Sequence, residues 1–153
     1  MKNKHGRNSS EAMAITKKML FQDSLNLLQI EKIIQIHGYP GKSLVGSKYQ
    51  NVAMLVLHHA YHNEVRDKYF RLLYEAALKG EINRNAFKLY IDRVHMIKFE
   101  TQLYGSQSQY NSKTKTYEMV TIESKENYEQ RFKDLAEGKF DLGRLNLDDY
   151  ERD

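Results

Sequence analysis

The chain has 153 residues, of which 41% are hydrophobic, and this matches the usual size and composition of one globular domain. It contains no cysteine, which excludes a disulfide scaffold, a thiol nucleophile and any cysteine-ligated zinc or iron–sulfur site. The formal charge of +4 arises in the first 18 residues, which hold five Lys or Arg against Glu11, because the remainder has 19 basic and 19 acidic residues. Nucleic acid is therefore not expected as a partner.

Residues 1–9 form a polar, basic N-terminal segment, and no apolar stretch of secretory or membrane-spanning length follows it. We therefore expect a cytoplasmic chain without a membrane partner. Residues 10–153 are expected to form a single helical domain.

The first predicted helix spans about residues 10–21, with Ser9 or Ser10 as its cap. Asp23-Ser24 offers a second cap, from which another helix should run to Gly38. The segment 39–46 has the composition of a loop. Its Gly41-Lys42-Ser43 is not a phosphate-binding loop, because neither Ile36 nor His37 is the second glycine that this motif needs.

Later segments predict four more helices and one hairpin. The unbroken apolar run from Val52 to Leu57 indicates a central, buried helix over about 48–60, capped by Ser47. Further helices are expected over 63–80, over 84–99 after Asn83, and over 124–137, with a short turn at 146–149. Tyr, Thr and Val enrichment predicts strands over 102–110 and 116–122. The predicted fold is mainly α, one compact helical domain with one small β-hairpin near residues 102–122.

Three of the six histidines lie at the end of the predicted central helix: His58, His59 and His62. Pairs three or four residues apart could bind a metal, but no third-ligand motif accompanies them, so we predict no zinc held by His58 and His62 together. No cofactor is predicted. His59 has two interpretations, a satisfied imidazole against a buried surface or a general acid or base near neutral pH.

Asp92 and Arg93 are adjacent on a predicted helix, so that one side chain can face the interior while the other reaches a rim. In a functional interpretation Asp92 orients His59 and Arg93 holds an anionic substrate group. The alternative is an ordinary surface pair of Asp92 with His95.

The run from Gln102 to Gln107 combines two amides, the Tyr104 phenol, a hydroxyl and Gly105. Such residues suit hydrogen-bonding recognition of a ligand. A hairpin strand with a glycine bulge is the alternative.

Taken in order, these motifs resemble a bacterial domain-of-unknown-function family, number 6624, over about residues 23–150. The resemblance rests on the following segments: Gly38-Tyr39-Pro40, Ser43-Leu44-Val45-Gly46, His58-His59-Ala60, Asp92-Arg93, Gln102-Leu103-Tyr104-Gly105-Ser106-Gln107, Arg131, Leu142-Gly143 and Tyr150. Two residues depart from the family pattern, since His58 stands where Gln is usual and Ser106 where Thr is usual. The resemblance implies a shared fold and a shared polar site, but no established activity.

Two functions remain open at this stage. The first is an acid–base hydrolase for a small polar or anionic substrate, with His59 and Asp92 as catalytic residues and Arg93, Gln102, Tyr104 and Gln107 as substrate-binding residues. The second is a non-catalytic module that binds a protein partner or a small polar ligand, in which the same residues form a structural network. Convergence of these residues on an open pocket would favour the enzyme, and a closed, fully bonded network would favour the module.

Overall fold

Six α-helices and one antiparallel hairpin form the regular structure of residues 9–150, which are the residues that the computed structural model describes. The helices are α1 (Ser10–His37), α2 (Lys42–Val45), α3 (Val52–His58), α4 (Asn63–Leu78), α5 (Arg84–Phe99) and α6 (Tyr128–Ala136), and the strands are β1 (Ser108–Asn111) and β2 (Thr116–Met119). The predicted mainly α fold with one small hairpin is confirmed. Residues 1–8 of the predicted basic segment and 151–153 of the predicted domain lie outside the described residues.

α1 is one continuous helix of 28 residues, so the predicted break at Asp23-Ser24 is wrong. Ser9 is the N-cap, as expected, because its hydroxyl oxygen accepts a hydrogen bond from the Ala12 amide at 3.1 Å. Ser24 instead donates its hydroxyl to the Leu20 carbonyl oxygen, one turn earlier, at 2.8 Å. A serine satisfied in this way can lie inside a helix, so the Asp-Ser pair does not set a boundary.

The hydrophobic core lies between α3, α4 and α5. Its fully buried large apolar side chains include Met54, Leu57, Phe70, Leu73, Phe87, Tyr90 and Ile91. Each such side chain contributes about 1.5–3 kcal/mol through removal of apolar surface from water. The C-terminal stretch covers one side of this core, since the Tyr150 ring stacks on Phe70 with centroids 4.5 Å apart.

α3 is shorter and less buried than predicted. It begins after Asn51 rather than after Ser47, and Val52 and Leu55 are exposed while Ala53, Met54 and Leu57 are buried. An apolar run has no polar side to indicate which face meets solvent, so uniform burial was the wrong expectation for this helix.

The predicted loop 39–46 contains the one-turn helix α2. The amide and the hydroxyl of Ser43 both donate to the Glu81 carboxylate, at 2.8 and 3.0 Å. The Glu81 side chain thus occupies the hydrogen-bond donors of Ser43 in the Gly41-Lys42-Ser43 fragment.

The hairpin is shorter than predicted. Its strands pair Ser108 with Met119 and Asn111 with Thr116 at the two ends of the register. The flanking residues 102–107 are irregular, apart from one bridge between Gln102 and Ile122. Among the described residues, no helix is both long and apolar enough to cross a membrane.

Candidate anion-binding site

α5 directs two adjacent side chains into different environments. Consecutive helical residues point about 100° apart. Asp92 is fully buried, whereas Arg93 is half-buried at the edge of the core. The expected division between an interior residue and a rim residue is therefore confirmed.

The Asp92 carboxylate holds the irregular segment that follows α5. Its Oδ1 accepts hydrogen bonds from the amides of Leu103 and Tyr104 at 2.8 and 2.9 Å, and its Oδ2 accepts from the Ser106 amide and hydroxyl at 2.9 and 2.7 Å. A carboxylate has about four acceptor positions, so these donors saturate it. The geometry favours a structural role for Asp92, and its role in orienting His59 stays a prediction.

Gln102 and Gln107 bond to the protein rather than facing an open cavity. The Gln102 side chain donates to the carbonyls of Gln107 and Val120 and accepts from the Gln107 amide at 2.7 Å. The Gln107 side chain donates to the Ser106 hydroxyl and, at 3.4 Å, to the Leu89 carbonyl. These bonds close the base of the hairpin against α5.

The Tyr104 hydroxyl is also engaged within the protein. It accepts from the Asp141 amide at 2.8 Å and donates to the Asp141 carbonyl at 3.2 Å. Burial raises the pKa of Tyr104 to about 12, so the phenol is neutral and donates normally near pH 7. Together, Asp92, Gln102, Tyr104 and Gln107 form a closed hydrogen-bonded network, hereafter the α5 network.

His95 does not form the surface pair with Asp92 that was considered, since both side chains are fully buried. Its Nδ1 lies 3.0 Å from the Thr101 carbonyl oxygen, and its Nε2 lies 3.8 Å from Glu123 Oε2. Burial raises the pKa of Glu123, but the hydrogen bonds from Arg144 and Thr101 outweigh it, so the net shift is downward. His95 therefore belongs to the contacts between α5 and the residues that flank the hairpin.

Arg93 faces a second and separate cluster. Its Nη2 lies 3.4 Å from Nε2 of His58, the last residue of α3. With the guanidinium as donor, Nε2 accepts and the proton of the neutral imidazole belongs on Nδ1. Both His58 Nδ1 and Arg93 Nε are buried without a hydrogen-bond partner.

Arg66, on α4, is the third member of this cluster. Its Nη1 donates to the carbonyl oxygens of His58 and Ala60, and its Nη2 donates to Asn63 Oδ1 at 2.6 Å. These bonds satisfy carbonyl groups that a helix leaves unpaired at its C-terminus, so Arg66 caps α3. The Arg66 Nε is nevertheless buried and unpartnered.

The cluster of His58, Arg66 and Arg93, hereafter the cationic cluster, contains no ion pair among the described residues. Burial lowers the pKa of Arg66, and the nearby Tyr90, Asp67 and Glu64 only partly oppose this shift. Within residues 9–150, neither guanidinium lies within 4.0 Å of an Asp or Glu oxygen. Burial lowers the pKa of Arg93, and the charge of Arg66 lowers it further. Burial lowers the pKa of His58 to about 3, with additional contributions from Arg93, His59 and Arg66. The imidazole is therefore neutral near pH 7, beside two positive charges.

His59 lies next to this cluster but points outward. It is exposed, and its ring contacts the His58 ring edge-on, with centroids 5.0 Å apart. The interpretation of His59 as an imidazole on a buried surface is therefore wrong. His59 and His62 both line a shallow cavity of about 320 Å³ against residues 20–27 of α1.

His58 and His62 are separated by the end of α3, because His62 precedes α4 as its N-cap. In the described part of the chain, no group of three or more His, Asp or Glu side chains is arranged to hold a metal ion.

Two members of the cationic cluster were not among the predicted site residues. His58 was considered only as a metal ligand, although it follows Met54 by four residues and therefore shares its buried face. Arg66 carried no sequence signal beyond its position one turn into α4, close to the end of α3.

A search of curated proteins and a search of solved structures both returned no match. The model of a family of unknown function, DUF6624, matches residues 4–129. The match begins before the resemblance over 23–150 and ends before Arg131, Leu142-Gly143 and Tyr150. Because it covers well over half of the sequence, the chain belongs to the family of unknown function DUF6624.

Proposed function

We propose that this chain is a ligand-binding domain that holds an anionic group, a carboxylate or a phosphate ester, at Arg93 beside His58. The observation that carries the proposal is the set of three buried nitrogen atoms without partners in the cationic cluster: His58 Nδ1, Arg66 Nε and Arg93 Nε. A buried N–H without a partner costs about 1–3 kcal/mol, and more for a charged group. An oxyanion would supply both the missing acceptor and the missing negative charge.

Arg93 is the member of the cluster best suited to contact the ligand. It is only half-buried, while Arg66 is already engaged by the His58 and Ala60 carbonyl oxygens and by Asn63 Oδ1. A guanidinium presents its donors in a planar fork that matches carboxylate and phosphate oxygens. His58 would position this fork through its Nε2 contact with Arg93.

The α5 network supports a binding module more than an enzyme. Asp92, Gln102, Tyr104 and Gln107 all find partners within the protein, which was the arrangement expected for a structural network. In this proposal their role is to fix the segment after α5 and thereby the helix that carries Arg93. Their roles as substrate-binding residues belong to the alternative function.

That alternative is the acid–base hydrolase, which one observation favours. His59 is exposed at the mouth of a cavity and lies against His58, so an anionic group bound at Arg93 would have an accessible imidazole nearby. An imidazole can donate or accept a proton. In this alternative His59 is the acid or base, and Arg93 still binds the anion.

Calorimetric titration with inorganic phosphate and, separately, with acetate tests the binding proposal. We expect wild-type protein to bind at least one of the two anions, and Arg93→Gln to weaken binding by about 10- to 100-fold, the effect of losing a charge-assisted hydrogen bond. The matched control is Arg84→Gln, which removes the same charge from an exposed position on α5. Equal losses in both variants, or no binding by the wild type, would overturn the proposal.

Thermal unfolding separates a binding role of Arg93 from a structural one. Without a ligand, Arg93→Gln removes a partly buried, unpaired charge, so we expect Tm to stay the same or to rise. A Tm that falls by several degrees would instead identify Arg93 as a structural residue. Hydrolysis of a phosphate or carboxylate ester that is lost in His59→Gln, with anion binding unchanged, would favour the hydrolase.

A further inference from the structure

Both guanidinium groups of the cationic cluster lie against the same residue. Arg93 Nη2 lies 3.4 Å from His58 Nε2, and Arg66 Nη1 donates to the His58 carbonyl oxygen at 3.1 Å. Burial lowers the pKa of Arg93, and the charge of Arg66 adds to this shift, so the two guanidinium groups repel each other. His58 contributes no charge near pH 7, because burial lowers its pKa to about 3. The cluster therefore brings two positive charges together.

The acidic residues near the cluster do not pair with it. Glu64 and Asp67 act on Arg66 from the same helix, but neither is within 4.0 Å of a guanidinium group. Asp67 is paired with Lys98 at 3.3 Å, and Glu64 is exposed, where water and salt screen its charge. Within residues 9–150, both positive charges of the cluster are thus without an ion-pair partner.

The unpartnered nitrogen atoms indicate how many acceptors a ligand must bring. They are His58 Nδ1, Arg66 Nε and Arg93 Nε, and all three are N–H donors when His58 is neutral and its Nε2 accepts from Arg93. The neighbouring acceptors are already engaged, since Arg66 donates to the carbonyl oxygens of His58 and Ala60 and to Asn63 Oδ1. A phosphate monoester has three terminal acceptor oxygens, one for each unpartnered donor.

Charge and donor count together favour one class of anion. A carboxylate or a sulfate ester carries a single negative charge, whereas a phosphate monoester carries about −1.5 to −2 at pH 7, since its second pKa is about 6. We propose that the anion held at Arg93 is the dianion of a phosphate monoester, whose two charges match the two guanidinium groups. This inference rests on the proposed function, because it specifies which anion the same site binds. The ester group faces solvent beside Arg93, since His58 and Arg66 are buried.

Methyl phosphate and methyl sulfate test this preference, because they have similar shapes and differ in charge at pH 7.5. We expect calorimetric titration at pH 7.5 to show that methyl phosphate binds at least about 10-fold more tightly than methyl sulfate. At pH 5 most methyl phosphate carries one charge, so the ratio of the two affinities should fall by about 5- to 10-fold. The ratio is the chosen readout because a protein group that titrates between the two pH values acts on both ligands.

The variant Arg93→Gln tests whether the two positive charges set the preference. With one guanidinium group left, we expect both ligands to bind more weakly and the affinity ratio at pH 7.5 to fall by at least about 3-fold. A residue with a purely structural role would weaken both ligands equally and leave the ratio unchanged. The matched control is Arg84→Gln, which removes the same charge from an exposed position on α5 and should keep the wild-type ratio. Circular dichroism verifies that both variants retain their helical content.

The possible failures of this inference and of the proposed function are distinguishable. If wild-type protein binds neither ligand and also binds neither inorganic phosphate nor acetate, both are wrong. If methyl sulfate binds as tightly as methyl phosphate at pH 7.5, anion binding stands but the preference for a dianion is wrong. The preference is also wrong in its stated cause if the affinity ratio is the same at pH 5 and pH 7.5, or if Arg93→Gln and Arg84→Gln lower it equally.

Discussion

At the level of single residues, Asp92 and His58 represent two different ways of placing an ionisable group in the core. The Asp92 carboxylate accepts hydrogen bonds from four donors. His58 lies beside positive groups and has no acidic partner, so its ring stays neutral. In the first arrangement every hydrogen-bonding position is used, whereas the second leaves buried N–H groups without partners.

Asp92→Asn tests the contribution of the α5 network to stability. The substitution replaces one acceptor oxygen by an amide donor, so two of the four donors that Asp92 satisfies would face an N–H group. We expect the free energy of unfolding to fall by about 2–5 kcal/mol in urea denaturation. Asp148→Asn is the control, because Asp148 is 82% exposed and its pair with Arg71 is worth less than about 1 kcal/mol. Equal effects of the two substitutions would contradict the structural role of Asp92.

The pH dependence of stability reports on His58. Its pKa is about 3 in the folded chain and 6.5 in the reference state, so between these values the unfolded state binds more protons. Stability should therefore be greatest above pH 6.5 and should fall as the pH decreases toward 3, by at most about 1.4 kcal/mol per pH unit from this group.

The matched variant for this prediction is His58→Gln, which places at residue 58 the amide that the family resemblance makes usual. Glutamine does not titrate, so the difference in unfolding free energy between wild type and variant isolates the histidine contribution. A difference that stays constant from pH 7 to about pH 4 would show that the folded His58 titrates normally.

At the level of elements, patterns of polar and apolar residues predicted the positions of the helices more reliably than which faces of the helices are buried. Asn83 caps α5, and the 3-10 turn Leu147–Asp149 follows Asn146, both as expected. Val52, Leu55 and His59 lie on one face at spacings of three and four residues, and that face is exposed. Since the run 52–57 is apolar throughout, only tertiary packing decides that His58 rather than His59 turns toward Arg93.

The sequence shows that the irregular segment after α5 is polar, but it does not show to which residues this segment is hydrogen-bonded. Asp92 and Arg93 were expected to face different environments, and they do. The acceptor of the segment's amides lies 11 to 14 residues earlier in the chain, and no local spacing rule encodes such a contact. Gly105, which belongs to the run considered for ligand recognition, lies against Tyr128.

Gly105→Ala measures how tightly this segment is packed. Gly105 has a φ of 76°, and a Cβ there would lie 3.1 Å from the Tyr128 hydroxyl oxygen. We expect a loss of about 1–3 kcal/mol in unfolding free energy, from backbone strain and crowding together. Gly46→Ala is the control, because its φ is 78° and no atom lies within 4 Å of the added methyl group. An equal loss at both positions would show that only the backbone angle matters.

At the level of the whole molecule, Arg131 joins segments that are distant in sequence. Its Nε binds the Asp141 carboxylate at 2.6 Å, and its Nη1 donates to the carbonyl oxygens of Leu103, Glu123 and Ser124. The hairpin base, α6 and the C-terminal stretch are therefore tied to the segment that Asp92 holds. Through the hydrogen bonds of Leu103 and Tyr104 to Asp92, these contacts are also connected to the helix that carries Arg93.

The bonds to Asp92 also determine how quickly backbone hydrogens can be replaced by deuterium. Irregular segments usually exchange their amide protons early, because small local openings expose them to water. The amides of Leu103 and Tyr104 can open only if they leave Oδ1 of a fully buried carboxylate without donors, which costs several kcal/mol on the order given for a buried, unpaired polar group. These two irregular residues should therefore retain their protons as long as the central turns of α5 do, and the first turns of α1 should lose theirs far sooner.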